Sequence, residues 1–151
     1  LLKVAMANNV RVKMIGEESR FDSDIIDGID TLVRETRNNT GMTFVIAVNY
    51  GGRDEIVRGV RKLARQAADG TLDPESITED TVSASLDTAE IPDPDLMIRT
   101  SGEQRLSNYL IWQMAYTELY FTDVYWPDFH KEDLVRAIEA YNQRERRFGG
   151  R

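Results

Sequence analysis

Arg99 and Arg105 lie six residues apart on either side of a Thr100-Ser101-Gly102 turn, and Ser107 follows two residues later. A guanidinium presents its donors in a planar fork that matches the paired oxygens of a phosphate. Two such groups beside a hydroxyl suit a phosphate or diphosphate, and amides at the start of a following helix would add to the same field. Upstream, Leu96-Met97-Ile98 is a short apolar run bounded by Pro92 and Pro94 and reads as the end of a buried strand. Open α/β sheets bind ligands at the carboxyl ends of their strands, so the turn stands where an anion site belongs.

The stretch from the turn down to Tyr120 reads as a long aromatic helix. On it Glu118 shares a face with Ile111, Met114 and Ala115, at spacings of seven, four and three. A carboxylate on an apolar face needs a cation. A structural ion pair with an arginine satisfies it without chemistry; a Mg²⁺ ion shared with the diphosphate satisfies it with chemistry, because hard cations take carboxylate and phosphate oxygens together.

The elements that would position these groups follow from pattern. Leu1 to Asn9 is the end of an apolar-striped helix that begins uncapped, and Leu1 rather than Met opens the chain, so further sequence is expected upstream. Val10 to Ile15, closed by Gly16, is a strand. Asp22 or Ser23 caps a helix striped by Ile25, Ile26, Ile29, Leu32 and Val33, which Asn38-Asn39-Thr40-Gly41 ends. Met42 to Val48 is a continuous apolar run broken by Thr43, the pattern of a parallel strand covered on both faces. It feeds Asn49-Tyr50-Gly51-Gly52 and a helix whose apolar side is Ile56, Val57, Val60, Leu63, Ala64 and Ala67. That Gly-Gly junction either cradles a phosphate or lets strand and helix pack tightly; it lacks the lysine and spacing of a P-loop. Arg53 there is a second-tier candidate, for pairing or packing. Asp73-Pro74 caps a turn, Thr78 to Leu86 is a short helix, and Asp128 caps a last helix on which Leu134, Ile138 and Tyr141 line up. Arg144 to Arg147 crowds its last turn, where cations are favoured. His130, the single histidine, is a surface residue near its start. Alternating strands and helices give an α/β fold with a mostly parallel open sheet flanked by helices.

The 151 residues suffice for one domain with its own core. Hydrophobic residues make up 41% and charged residues 30%, an ordinary globular balance, and no apolar run is long enough to span a bilayer. With no cysteine there are no disulfides or thiolate metal sites, in keeping with a reducing cytoplasm. Between Gln66 and Ile98 stand nine acids and no lysine or arginine, more than the whole net charge of −7. That stretch reads as a solvated connection, and the rest of the chain is slightly basic. No basic stripe with interleaved aromatics appears, which speaks against nucleic-acid binding.

Ile98-Arg-Thr-Ser-Gly-Glu-Gln-Arg-Leu-Ser-Asn-Tyr-Leu110, Trp112-Gln113 and Glu118-Leu-Tyr-Phe-Thr-Asp-Val-Tyr-Trp-Pro-Asp-Phe129 closely resemble the cis-prenyltransferases, the undecaprenyl and decaprenyl diphosphate synthases. The resemblance extends through Asn49-Tyr-Gly-Gly-Arg53 and Arg144-Glu-Arg-Arg-Phe-Gly-Gly150 and covers nearly the whole chain. It implies an enzyme that adds isopentenyl diphosphate in cis to an allylic diphosphate such as farnesyl diphosphate, giving a polyprenyl diphosphate carrier for cell-wall glycan synthesis. Arg99, Arg105 and Ser107 would bind the isopentenyl diphosphate, and Glu118 would coordinate Mg²⁺. Arg147 and Gly149, of the Arg-x-Gly motif, would reach a partner's substrate site in a homodimer. Met42 would line the hydrocarbon tunnel, while Gly102, Asn108, Asn49 and Arg53 stand as second-tier positions. Gln104 replaces a histidine found in some members. The implied setting is cytoplasmic, with peripheral membrane contact for product release.

The chain departs from the family in lacking the opening Asp-Gly-Asn-Gly-Arg-Trp-Ala segment, which carries the essential aspartate. Residues 1–151 therefore read as the C-terminal part of a single cis-prenyltransferase domain, an incomplete copy of the fold with no catalytic aspartate of its own and expected to be inactive in isolation. The alternative is a non-catalytic partner subunit, against which the presence of all four of Arg99, Arg105, Ser107 and Glu118 counts.

Overall fold

A computed structural model describes residues 1–17 and 21–147. It divides into two compact units, Leu1–Ala89 and Glu90–Arg151.

In the first unit α1 (Leu2–Ala7) leads into β1 (Arg11–Gly16), α2 (Ser23–Thr36), β2 (Thr43–Val48), α3 (Gly52–Ala68) and α4 (Glu79–Ser85). β1 and β2 are rich in the branched residues that suit a pleated strand, and they pair in parallel from Arg11 opposite Thr43 to Gly16 opposite Val48. Val12, Leu32 and Ala5 form the core, with Leu2, Val10 and Ile46 packed against it. Burying side chains such as Val12 and Leu32 contributes about 1.5–3 kcal/mol each. Thr36 is wholly buried yet satisfied: its hydroxyl donates to Leu32 O at 2.8 Å and accepts from the Val12 amide at 3.0 Å, joining α2 to β1. Gly16 ends β1 at φ +105°, where an added Cβ would stand 2.0 Å from Val48 O. Only glycine fits there.

Two expectations about this unit fail. β2 is not covered on both faces, since Thr43, Phe44 and Ala47 are exposed. The apolar stripe of α3 is only in part its buried face: Leu63 is buried, but Val57 and Val60 are 46% and 57% exposed, and the other buried positions are Gly52, Glu55 and Gly59. The reason is a polar network. Arg58 grips Asp87 through both terminal nitrogens at 2.5 and 2.8 Å, and Asp87 also accepts from the Gly16 amide at 3.1 Å. Glu55, only 1% exposed, accepts from the Tyr50 hydroxyl and, at 3.0 Å, from the Asp87 amide. Gly59 adds a close approach to the end of α4, where a Cβ would meet Ser85 Oγ at 2.7 Å. Satisfying buried charges and fitting a glycine contact outweigh the burial of two valines in setting the helix's rotation. Asp87 thus belongs to the packed structure, although it lies in the acidic stretch read as a solvated connection.

The second unit holds β3 (Leu96–Arg99), β4 (Glu118–Phe121) and α5 (Lys131–Asn142). β3 and β4 are parallel, with Leu96 opposite Glu118 and Arg99 opposite Phe121. The parallel α/β fold class holds. The long aromatic helix does not form: residues 107–116 are turns, and Glu118 opens a strand. Ser107, Asn108 and Leu110 all adopt positive φ (49°, 64° and 45°), which a right-handed helix cannot accommodate. The aromatic and branched run Leu119-Tyr-Phe-Thr122 favours a strand. Glu118 therefore does not share a helical face with Ile111, Met114 and Ala115. At the last helix the N-cap is His130, not Asp128: the Asp133 carboxylate accepts from the His130 amide at 2.8 Å, while Trp126–Asp128 forms a separate turn. Leu134 and Ile138 are exposed, and Asp133 and Ala137 are the buried positions. α5 ends at Asn142, so Arg144 to Arg147 lie beyond its last turn rather than in it.

Candidate functional site

Backbone hydrogen bonds fix the turn after β3. The Ser101 amide donates to Val124 O and the Gly102 amide to Thr122 O, each at 2.9 Å, and the Thr122 amide donates to Arg99 O at 3.0 Å. Gly102 sits at φ +70°, and a Cβ there would press on Asp123 Oδ1 at 3.1 Å. These amides are committed to the strap between the turn and the residues after β4. No helix starts beside them, so the expected helix N-terminal contribution to anion binding is lost. The side chains must carry the charge.

They are placed to do so. Arg99 Nη1 donates to the Arg105 carbonyl and, at 3.1 Å, to Ser107 Oγ. Among the described residues both of its hydrogen bonds end on neutral oxygens, so its charge is not matched by a carboxylate. Arg105 pairs with Glu103, and both side chains are open to solvent. Arg99, Arg105 and Ser107 line one cavity of about 300 Å³ together with Met97, Ile98, Leu106, Tyr109 and Met114. Partial burial pushes the Tyr109 phenol pKa up, keeping it neutral. The positive φ values at Ser107, Asn108 and Leu110 are the kind of backbone strain that packing sustains around binding sites, and Ser107 is turned back toward Arg99. Asn108 lies within the same strained run.

Glu118 is elsewhere. Its partner in register is Leu96, at the amino end of β3, whereas Arg99 is at the carboxyl end. Three residues of strand, roughly 10 Å, separate the two levels. Glu118 Oε2 accepts from Arg144 Nη1 at 2.6 Å. Within one chain the structure thus unites Arg99, Arg105 and Ser107 but leaves Glu118 apart, in the ion pair that was the alternative to a metal. Among the described residues no three acidic or histidine side chains converge on a metal position. A carboxylate is a hard oxygen donor of the kind Mg²⁺ takes, and Glu118 would be the residue of this chain to offer it.

Arg147 is exposed and within 3.4 Å of Glu145; Gly149 lies outside the described residues. The remaining candidates belong to the first unit. Asn49 adopts φ 45° and donates to Glu17 O at 3.3 Å, and Arg53 is exposed on the first turn of α3. Met42, 66% exposed, lines an apolar hollow of about 400 Å³ with Leu1, Val4, Val10, Val12 and Phe44. Sequence reasoning missed the partners in unit two, Arg144 and Asp95. The crowd of arginines after α5 was visible, but which acids they meet depends on strand register.

The prenyltransferase family described as undecaprenyl diphosphate synthase matches residues 2–149. An isoprenyl transferase of Brucella suis is 59% identical over 143 residues, covering 95% of this chain and 56% of its own length. One from Porphyromonas gingivalis is 54% identical over 144 residues, covering 95% and 57%. The chain spans little more than half the length of these relatives. The crystal structure of lavandulyl diphosphate synthase from Lavandula x intermedia, in complex with dimethylallyl diphosphate, superposes with a TM-score of 0.94 at 40% identity, covering 97% of this chain and 64% of that one. A probable undecaprenyl diphosphate synthase from Campylobacter jejuni gives 0.83 at 33% identity, covering 98% and 67%.

Proposed function

The chain belongs to the undecaprenyl diphosphate synthase family of cis-prenyltransferases, and on that premise we propose that it carries the isopentenyl diphosphate site of an enzyme that extends an allylic diphosphate such as farnesyl diphosphate in cis. The product in this reading is a long polyprenyl diphosphate carrier for cell-wall glycan synthesis. One observation carries the reading: Arg99, at the end of β3, has among the described residues only neutral acceptors, in a cavity shared with Arg105 and Ser107. An arginine left in that state is a binding group for an anion, and a diphosphate fits two guanidiniums and a hydroxyl.

In the reaction the allylic C–O bond breaks and the diphosphate leaves with the electron pair. The terminal alkene carbon of isopentenyl diphosphate bonds to the allylic carbon, and a proton is lost from the carbon next to the new cation. Arg99, Arg105 and Ser107 hold the diphosphate of the nucleophilic substrate and so fix where its alkene points. Met97, Ile98 and Leu106 give the same cavity an apolar wall. Mg²⁺, with Glu118 as its ligand from this chain, would neutralise diphosphate charge. Gly102 and Asn108 shape the turn; Asn49 and Arg53 remain supporting positions; Met42 borders the path of the growing hydrocarbon. Arg147 and Gly149 serve a second copy's site in a homodimer. The proposed setting is the cytoplasm, with the membrane surface receiving the product; no helix among the described residues is long and apolar enough to cross a membrane.

Titration calorimetry with isopentenyl diphosphate tests the site. Arg99→Ala is expected to weaken binding about 10- to 100-fold, the worth of a hydrogen bond to a charged group, with little change in thermal midpoint. Equal affinity in the variant would overturn the assignment.

A further inference from the structure

We infer that Asp95 and Glu118 form a two-point clamp on the segment after α5, and that Asp95, acting through Arg146, is the positioning residue for Arg147. This rests on the reading that Arg147 contacts a diphosphate.

The two acids are neighbours across β3 and β4: the Glu118 amide donates to Asp95 O at 3.0 Å. Each takes a different arginine from one short segment. Glu118 accepts from Arg144 at 2.6 Å, and Asp95 Oδ1 accepts from Arg146 Nη1 at 2.7 Å. Arg146 is the more firmly held. It also donates to the Tyr141 hydroxyl at 3.0 Å and to Tyr116 O at 3.2 Å, and its guanidinium lies 5.7 Å from the centre of the Tyr141 ring. Its side chain is only 20% exposed, and the Asp95 hydrogen bond raises its pKa further. One residue therefore ties the segment to the start of β3, to the loop before β4 and to the last turn of α5.

The order of the segment gives this anchorage its consequence. Residues 144 and 146 face the acids, while Glu145 and Arg147 pair with each other in solvent, 85% and 78% exposed. Fixing Arg146 on Asp95 thus fixes the direction in which Arg147 leaves the surface. Arg147 itself has no anchor but Glu145 among the described residues, so it is presented to whatever anion approaches.

Limited trypsin digestion of the intact chain, followed by mass, reads the clamp directly, because trypsin cuts after each of these arginines. Asp95→Asn is expected to speed cleavage after Arg146 and Arg147 about fivefold, since cleavage follows local opening, with an unchanged thermal midpoint; Asp95→Glu should restore protection. Isopentenyl diphosphate titrations then form a double-mutant cycle. Asp95→Asn and Arg147→Ala should each weaken binding, and the double variant should lose no more than Arg147→Ala alone. Unchanged cleavage, additive losses, or an Arg147→Ala chain that binds normally while Arg99→Ala does not would each overturn the positioning role. Failure of the underlying site shows separately, as wild-type affinity in Arg99→Ala.

Discussion

The two units use charge in opposite ways. In Leu1–Ala89 one set of charged groups turns inward and is satisfied there: Arg58 on Asp87, Glu55 on Tyr50 and on the Asp87 amide. In Glu90–Arg151 two arginines are pinned by Asp95 and Glu118, and a third, Arg99, among the described residues donates to neutral oxygens alone. A closed network fixes a helix against a strand and leaves nothing for a ligand. An arginine on neutral acceptors keeps its field available. The comparison separates residues that hold the molecule together from residues that can bind.

Gly16→Ala should have the largest effect. It would force a side chain into φ +105° and into Val48 O, costing about 3 kcal/mol or more. Hydrogen exchange should show the loss on β1, β2 and α3 amides, with β3 and β4 protected as before; a uniform loss would break the division between the units. Next comes Glu55→Ala, which removes the acceptor of the Tyr50 hydroxyl and the Asp87 amide. About 2 kcal/mol should disappear in urea unfolding, while isopentenyl diphosphate affinity stays the same. An affinity loss there would mean that the inward network also serves the site.

The smallest effect is in α5. The hydrogen bond from the His130 amide, aided by Arg136, holds the Asp133 carboxyl below its ordinary pKa. A depressed carboxylate pKa stabilises the fold fully above the unfolded value, about 3.9 for aspartate. The contribution is lost as pH falls through the lower folded value. Asp133→Asn should flatten that acid limb of the stability curve and leave stability at pH 7 slightly reduced; a superimposable acid limb would show that the cap is not what titrates.

Much of the first unit was legible. Branched and apolar runs placed β1 and β2, and Asp22 and Thr78 marked helix starts, because short-range sterics and capping decide such features; Gly41 did not mark the end of α2, which stops at Thr36 with Arg37 in a right-handed cap. The rotation of α3 was not legible, since Val57 and Val60 carry the stronger apolar signal and only the distant Asp87 shows why Glu55 faces inward. In the second unit the trio Arg99, Arg105 and Ser107 was readable from spacing around Gly102. The strand at Glu118 was missed because the helical spacing of Ile111, Met114 and Glu118 outweighed the branched and aromatic residues after it. The positive φ values at Asn108 and Leu110 have no sequence signal strong enough to cancel that period.

The sequence by itself determined the parallel α/β class, the family and the grouping of Arg99, Arg105 and Ser107 at one turn, since all three rest on local pattern and residue chemistry. Only the tertiary structure decided the partners of the charges: Asp87 with Arg58, Glu118 with Arg144, Asp95 with Arg146. Those pairs join residues 26 to 51 positions apart, and it is strand register and helix rotation, not spacing along the chain, that bring such groups within 3 Å.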